Sequence, residues 1–240
     1  MKKRSIFVVI AVVALLIITG CTYEKEEVQT DASKFKKEYE SINGEKIEGT
    51  DYVVRSLDIP DDNPFVYASA NDIITMMDNG DTFIVYFGFS KCPWCRSVLP
   101  ILIDVASELQ VEKIYYVDVQ SIRNKLDVDE EMNVVTIKEG SEGYIGLLSR
   151  LDDVLDDYTL EVDGKEIKTG QKRIYAPNIV SVVNGKAKEL ETGISDLQNE
   201  KGDPFMELTD DMKKDTYNKF KCSLKCVMEN KNVCSSKNAC

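Results

Sequence analysis

The chain has 240 residues, 30 Lys and Arg against 42 Asp and Glu, a formal net charge of −12 and no histidine. Such an acidic surface argues against a nucleic-acid partner, and the lack of histidine removes both the usual general base and the commonest zinc ligand. The length suits one domain with attachments.

Residues 1–20 read MKKRSIFVVIAVVALLIITG, with Lys2, Lys3 and Arg4 ahead of an uncharged stretch at 5–20. That is the plan of an export signal, and it is short for a spanning helix, which needs about 20 apolar residues. Ile18, Thr19, Gly20 and Cys21 resemble the lipobox of bacterial lipoproteins. The resemblance implies cleavage before Cys21 and a diacylglycerol on its sulfur. The rival reading is an uncleaved N-terminal anchor, and either one places the remainder outside the cytoplasm at a membrane surface. Residues 21–50 are highly charged after Cys21 and almost lack aliphatic side chains, so they read as a tether that cannot offset its own chain entropy.

From residue 51 the pattern changes. DYVVRSLDIP predicts a first strand stopped by Pro60. Ser69, with Asp72 three positions later, predicts an N-cap for a helix carrying Ile73, Ile74, Met76 and Met77, ended by Asn79 and Gly80. The β-branched and aromatic run at 82–89 reads as a buried central strand. SVLPILIDVASELQ has helical periodicity with Pro100 inside it, and KIYYVDVQ is a second buried strand. Strand, crossover helix and strand imply parallel neighbours. Further on, Tyr144, Leu147, Leu148, Leu151, Val154, Leu155 and Tyr158 share one face of a helix predicted over 141–158. Asp163-Gly164 and Asn184-Gly185 each mark a hairpin. The last helix starts near Thr209 and runs past Phe220, Leu224 and Met228 into a cysteine-rich tail.

KCPWCR stands at 91–96, where the central strand stops and a helix begins. A cysteine in the first turn of a helix meets unsatisfied N–H groups and the positive end of the dipole, both of which favour thiolate. The pKa of Cys92 should therefore fall below the free value of about 8.5, making it the attacking sulfur. Cys95, one turn further in, is placed to resolve a mixed disulfide. The same spacing also serves half a zinc site or a structural bridge. Zinc would need two more ligands from Cys222, Cys226, Cys234, Cys240 or carboxylates.

CPWCRSVLP is similar to the active-site helix of thioredoxin. APNIVSVVNGKAKELETG resembles the cis-proline loop and closing hairpin of that family, with Pro177, Gly185 and Gly193 spaced eight apart. The resemblance covers roughly residues 67–232. It implies an α/β, thioredoxin-like fold: a central mixed sheet flanked by helices, with extra sequence at about 121–140 and 159–172 before the cis-proline, and a cysteine-rich C-terminal helix and tail. On this reading the domain spans 51–232 and the tail 222–240. The bond before Pro177 would be cis and beside Cys92, with Pro93, Trp94, Ala176 and Pro177 shaping the substrate groove. Two positions depart from the family: Tyr86 stands where it has a buried aspartate, and Gly88-Phe89 where it has a tryptophan and an alanine. CPWC is nearer to glutaredoxin's CPYC than to thioredoxin's CGPC, and an intermediate potential is implied. The YFGFSKCPWCR block looks most like thioredoxin-like lipoproteins and bacteriocin transport accessory proteins of Gram-positive bacteria.

Four cysteines remain, at 222, 226, 234 and 240. An even number in an exported chain predicts two disulfides with three possible connectivities. Cys222 and Cys226 share a helical face, which favours the nested pairs Cys226 with Cys234 and Cys222 with Cys240. A second redox relay or a four-thiolate metal site are the alternatives. The resemblance implies a membrane-anchored thiol-disulfide oxidoreductase with Cys92 and Cys95 at its centre and neither a cofactor nor a metal. Its partners would be exported thiol- or disulfide-containing proteins and a membrane or extracellular redox protein. The other expectation is a non-catalytic binding module of the same fold, serving bacteriocin export or metal delivery.

Overall fold

The computed structural model describes residues 29–229. The expected signal at 1–20, Cys21, Cys234 and Cys240 lie outside the described residues. In chain order the elements are α1 (Asp31–Glu40), β1 (Phe65–Tyr67), α2 (Ala70–Asp78), β2 (Phe83–Gly88), α3 (Pro93–Glu108), β3 (Ile114–Asp118), β4 (Lys125–Val128) and β5 (Val134–Lys138). They continue with α4 (Glu142–Leu151), β6 (Asp157–Val162), β7 (Lys165–Lys172), β8 (Asn178–Val183), β9 (Lys186–Glu191), α5 (Asp196–Lys201) and α6 (Asp210–Met228).

β2 and β8 are buried along their whole length, as their near-continuous apolar runs demand of central strands. They sit in the middle of a mixed sheet ordered β1-β3-β2-β8-β9. β1, β3 and β2 run parallel, while β8 is antiparallel to both β2 and β9. Side chains alternate across this sheet with period two. Ile84 and Tyr86 of β2 enter one core with Phe35 and Tyr39 of α1, Leu99 and Leu102 of α3, and Phe220 and Leu224 of α6. Phe83, Val85 and Phe87 enter the opposite core with Ile73 and Met77 of α2 and Leu147 and Leu151 of α4. The protein is thus a mixed α/β structure, its mixed central sheet flanked by helices. The intervening sequence at 121–172 supplies two hairpins, β4–β5 and β6–β7, each a separate two-stranded sheet.

Local chemistry explains most element ends. Ser69 accepts from Asp72 N while the Asp72 carboxylate accepts from Ser69 N, a reciprocal cap that starts α2. Thr209 caps α6 in one direction only, its hydroxyl accepting from Met212 N. The β6–β7 and β8–β9 turns carry Asp163-Gly164 and Asn184-Gly185, all four residues at positive φ.

Three expectations are corrected. Residues 31–40 belong to no tether: they form α1, whose Phe35 and Tyr39 are fully buried. Phe35 stacks on Phe65 with ring centroids 4.0 Å apart and lies 4.5 Å from Tyr39. Two aromatics one turn apart, with Thr30 capping through Ser33 N, suffice where the average composition predicts disorder. Residues 51–60 are no strand beyond an isolated bridge of Val53 with Lys46, and the first strand is β1. Side chains take the backbone there: Leu57 N donates to Asn43 Oδ1 and Ile59 N to Glu40 Oε1. The helix predicted over 141–158 stops at Leu151. Continuing it would place Asp152, Asp153, Asp156 and Asp157 at the negative end of the dipole; Leu155 and Tyr158 reach the interior from the following turn and β6 instead.

Candidate active site

Cys92 is the N-cap of α3. Its φ of −70° and ψ of 115° are extended, and its Sγ accepts the backbone N–H of Cys95 at 3.1 Å, one of the donors a helix start leaves unpaired. Pro93 follows at the first helical position, where its missing N–H costs nothing. Sulfur thus occupies the place a serine or aspartate oxygen takes in an ordinary cap. On its other side Cys92 Sγ donates to Ala176 O at 3.3 Å, and the Ala176–Pro177 peptide bond is cis. Pro177 is buried, and Pro93, Trp94 and Ala176 are half-buried around the sulfur. The structure therefore brings together, across 84 residues of sequence, the two segments singled out above.

Both thiols are free and buried, Cys92 retaining 3% of its exposure and Cys95 none. Their acidities diverge. Burial works to raise the Cys92 thiol, but the Cys95 side chain and N–H, the Arg123 guanidinium and the Trp94 backbone outweigh it and hold it below its ordinary value. Burial drives Cys95 well above that value, the neighbouring Cys92 adds to the rise, and the Tyr86 hydroxyl and the Phe89 backbone oppose it. One sulfur ready to ionise beside one held protonated is an arrangement suited to attack by the first and delayed attack by the second.

Arg96, the next residue, is the largest fully buried side chain among the described residues. Its Nε donates to Arg55 O, its Nη1 to Tyr39 O and Ser90 O, and its Nη2 to Asn43 Oδ1. It thereby ties α1 and the segment at 43–55 to the start of α3. Tyr86 lies beneath the thiols with its hydroxyl 3.4 Å from that of Tyr39. Gly88 makes this possible: a Cβ there would stand 2.6 Å from the Tyr86 hydroxyl oxygen. Tyr86 and Gly88 thus form one adjustment within β2, the large ring at 86 needing no side chain at 88.

Sequence reasoning missed Arg123 and the burial of Tyr39 and Arg96. Arg123 stands just before β4 in what reads as inserted sequence, its guanidinium 5.1 Å from the Phe89 ring. The aromatic spacing of Phe35 and Tyr39 was the available signal for α1. Cys222 and Cys226 are buried on α6 and both disulfide-bonded; their expected partners lie outside the described residues. Among the described residues no group of three or more His, Cys, Asp or Glu side chains could hold a metal ion, and no helix is long and apolar enough to cross a membrane. Compared with protein-family models, with curated proteins and with solved structures, the chain matches none.

Proposed function

We propose that this chain is a thiol-disulfide oxidoreductase of the thioredoxin-like kind, held at the outer face of a cell membrane by a lipid on Cys21 and acting on exported proteins. The observation that carries the reading is Cys92 capping α3 with its sulfur while that sulfur faces Ala176 O. A thiolate there is stabilised by the helix start and lies beside backbone along which an extended substrate segment can pair. The sheet order, with β1, β3 and β2 parallel and β8 and β9 antiparallel, and the cis bond before Pro177 support the same reading. In the reaction Cys92 thiolate attacks a substrate disulfide and releases one substrate thiolate. Cys95 then attacks Cys92 Sγ, forming the Cys92–Cys95 bond and releasing the second; the reverse sequence oxidises a dithiol.

The test is turnover of a disulfide-bonded protein by the reduced chain. Cys92→Ser abolishes it, and Cys95→Ser accumulates a mixed disulfide at Cys92. The alkylation rate of Cys92 is expected to reach half its maximum below about pH 8.5, while Cys95 stays unlabelled there. Full turnover by Cys92→Ser, or preferential labelling of Cys95, overturns the assignment. Cys21→Ala is expected to abolish lipid labelling and membrane partition.

A further inference from the structure

The chain carries a formal net charge of −12, yet two guanidinium groups, those of Arg123 and Arg173, stand beside its nucleophilic sulfur. Val119 N donates to Gly88 O and Arg123 N to Val119 O, so the turn after β3 is fastened to the end of β2. That turn brings the Arg123 guanidinium to 5.1 Å from the Phe89 ring, and Phe89 O accepts the N–H of Cys92 at 3.1 Å. Arg173 comes from the other segment of the site, just before Ala176, whose carbonyl accepts from Cys92 Sγ at 3.3 Å. It lies 3.9 Å over the Tyr158 ring and 5.7 Å from that of Tyr175, and its Nη1 donates to the carbonyl of Asn124, the neighbour of Arg123.

Neither charge is neutralised by the protein itself. Among the described residues no carboxylate forms an ion pair with Arg123 or Arg173, and the Arg123 guanidinium makes no hydrogen bond. Arg173 keeps only 8% of its exposure, and Nη1 is the one nitrogen of its guanidinium with a partner. The unpaired nitrogens of both residues are nevertheless open to solvent. Arg96 shows what a structural arginine looks like here, with its nitrogens donating to four acceptors. Burial first, and the Arg173 charge second, hold Arg123 below its ordinary value, a cost that a bound anion would relieve. The Asp118 carboxylate, which feels the Arg123 charge, already accepts from Gln120 N at 2.7 Å.

We propose, resting on the exchange reading above, that Arg123 and Arg173 set substrate specificity by receiving a carboxylate one or two residues from the reacting cysteine, so that proteins with Asp or Glu flanking that cysteine are preferred. An extended segment rises about 3.3 Å per residue. A carboxylate one or two residues from a sulfur bonded to Cys92 therefore starts about 3–7 Å along the segment from it. The planar fork of a guanidinium matches a carboxylate through two parallel bonds. The acidic surface of the chain repels such a segment from afar, but that repulsion is screened beyond about 8 Å at physiological salt. The local pair of cations then decides which sequences dock.

The test uses full-length protein carrying Cys95→Ser, so that the reaction stops at the mixed disulfide. Its substrates are three peptides that differ only in having Glu, Gln or Lys beside a cysteine blocked as its 2-pyridyl disulfide. The Cys92 thiolate bonds to the peptide sulfur, the bond from that sulfur to the blocking group breaks, and the leaving thiolate takes a proton from water as pyridine-2-thione, read by its absorbance. Each rate is divided by that of the same peptide with 2-mercaptoethanol, which removes differences between the peptides themselves. The Glu peptide is expected to react about tenfold faster than the Lys peptide, with Gln between, the scale of a partly exposed charge pair. This preference should shrink as ionic strength rises from about 0.01 to about 1 M. Arg123→Gln should remove most of it and Arg123→Lys only part. Arg173→Gln should lower it too, and Arg123→Gln tests the pair even where the buried Arg173→Gln fails to fold. Lys213→Gln, which removes the same charge from α6, should leave it unchanged. An undiminished preference in Arg123→Gln overturns the proposal, and so does an equal slowing of all three peptides, which would make Arg123 a stabiliser of the thiolate alone. Equal rates with all three peptides before any arginine is changed overturn the specificity and keep the exchange reading; no release from any of them overturns both.

Discussion

On one face of the central sheet Val85, Phe87, Val117, Val180 and Val182 meet Ile73 of α2 and Leu147 and Leu151 of α4. On the other, Tyr86 and Tyr116 meet Phe35 and Tyr39 of α1, and α3 adds two thiols and Arg96. Both sets are removed from water, yet the first is held almost wholly by area and shape and the second also by hydrogen bonds whose loss strands a polar partner. The contrast separates two kinds of buried residue. A valine at 85 can be exchanged against volume alone, whereas the hydroxyls of Tyr39, Tyr86 and Tyr116 each have a polar neighbour.

The largest expected effect comes from removing the α1 anchor. Phe35→Ala should destabilise by about 3–5 kcal/mol, the cost of an aromatic deletion in a packed core, measured by denaturant unfolding. A tether would lose nothing. Leu147→Ala on the opposite face should cost a comparable amount, about 2–5 kcal/mol. The pair sharpens the comparison because only Phe35→Ala should also make Cys95 more reactive, by opening the face that shields it. Equal thiol reactivity in both variants would mean that α1 does not isolate the site.

Next in size is Arg96→Met, which keeps the length of the side chain and removes all its donors. Arg55 O, Tyr39 O and Ser90 O then lose the guanidinium, while Asn43 Oδ1 keeps Leu57 N, at roughly 3 kcal/mol for several stranded acceptors. Arg96→Lys should recover only part, since an ammonium lacks the planar fork that reaches four acceptors at once. The smallest effect is expected outside the sheet. Arg150 and Asp78 bond through two oxygens on exposed surface joining α4 to α2, and Arg150→Ala should leave the unfolding midpoint within measurement scatter because solvent screens such pairs.

The cap, strand and turn signals were legible because each is local. Ser69 with Asp72, Asn184-Gly185 and the apolar run of β2 set backbone geometry through neighbours a few residues away. So was the position of Cys92 at a helix start, since the strand before it and the periodic stretch after it bracket the site. The spacing of the second motif likewise pointed to Pro177. What escaped was every feature that depends on a partner far along the chain. Glu38 and Tyr39 are near-neighbours of charged residues and vanish in a compositional average; only the fit of α1 against β1 and β3 turns them inward. Arg123 acts on Cys92 from the connection between β3 and β4, about 30 residues further along the chain.

By itself, then, the amino-acid order determined which residues cap, turn and alternate, and where a nucleophilic sulfur could meet a helix dipole, because those outcomes follow from short-range sterics and hydrogen bonding. Only the tertiary structure decided that a charged N-terminal stretch becomes part of the core, that Arg96 is structural, and that the Tyr86 hydroxyl is buried against that of Tyr39. Burial is a property of the assembled sheet and helices. The acidity of each thiol, set by desolvation and by the few dipoles that reach it, is therefore a property of the fold as a whole.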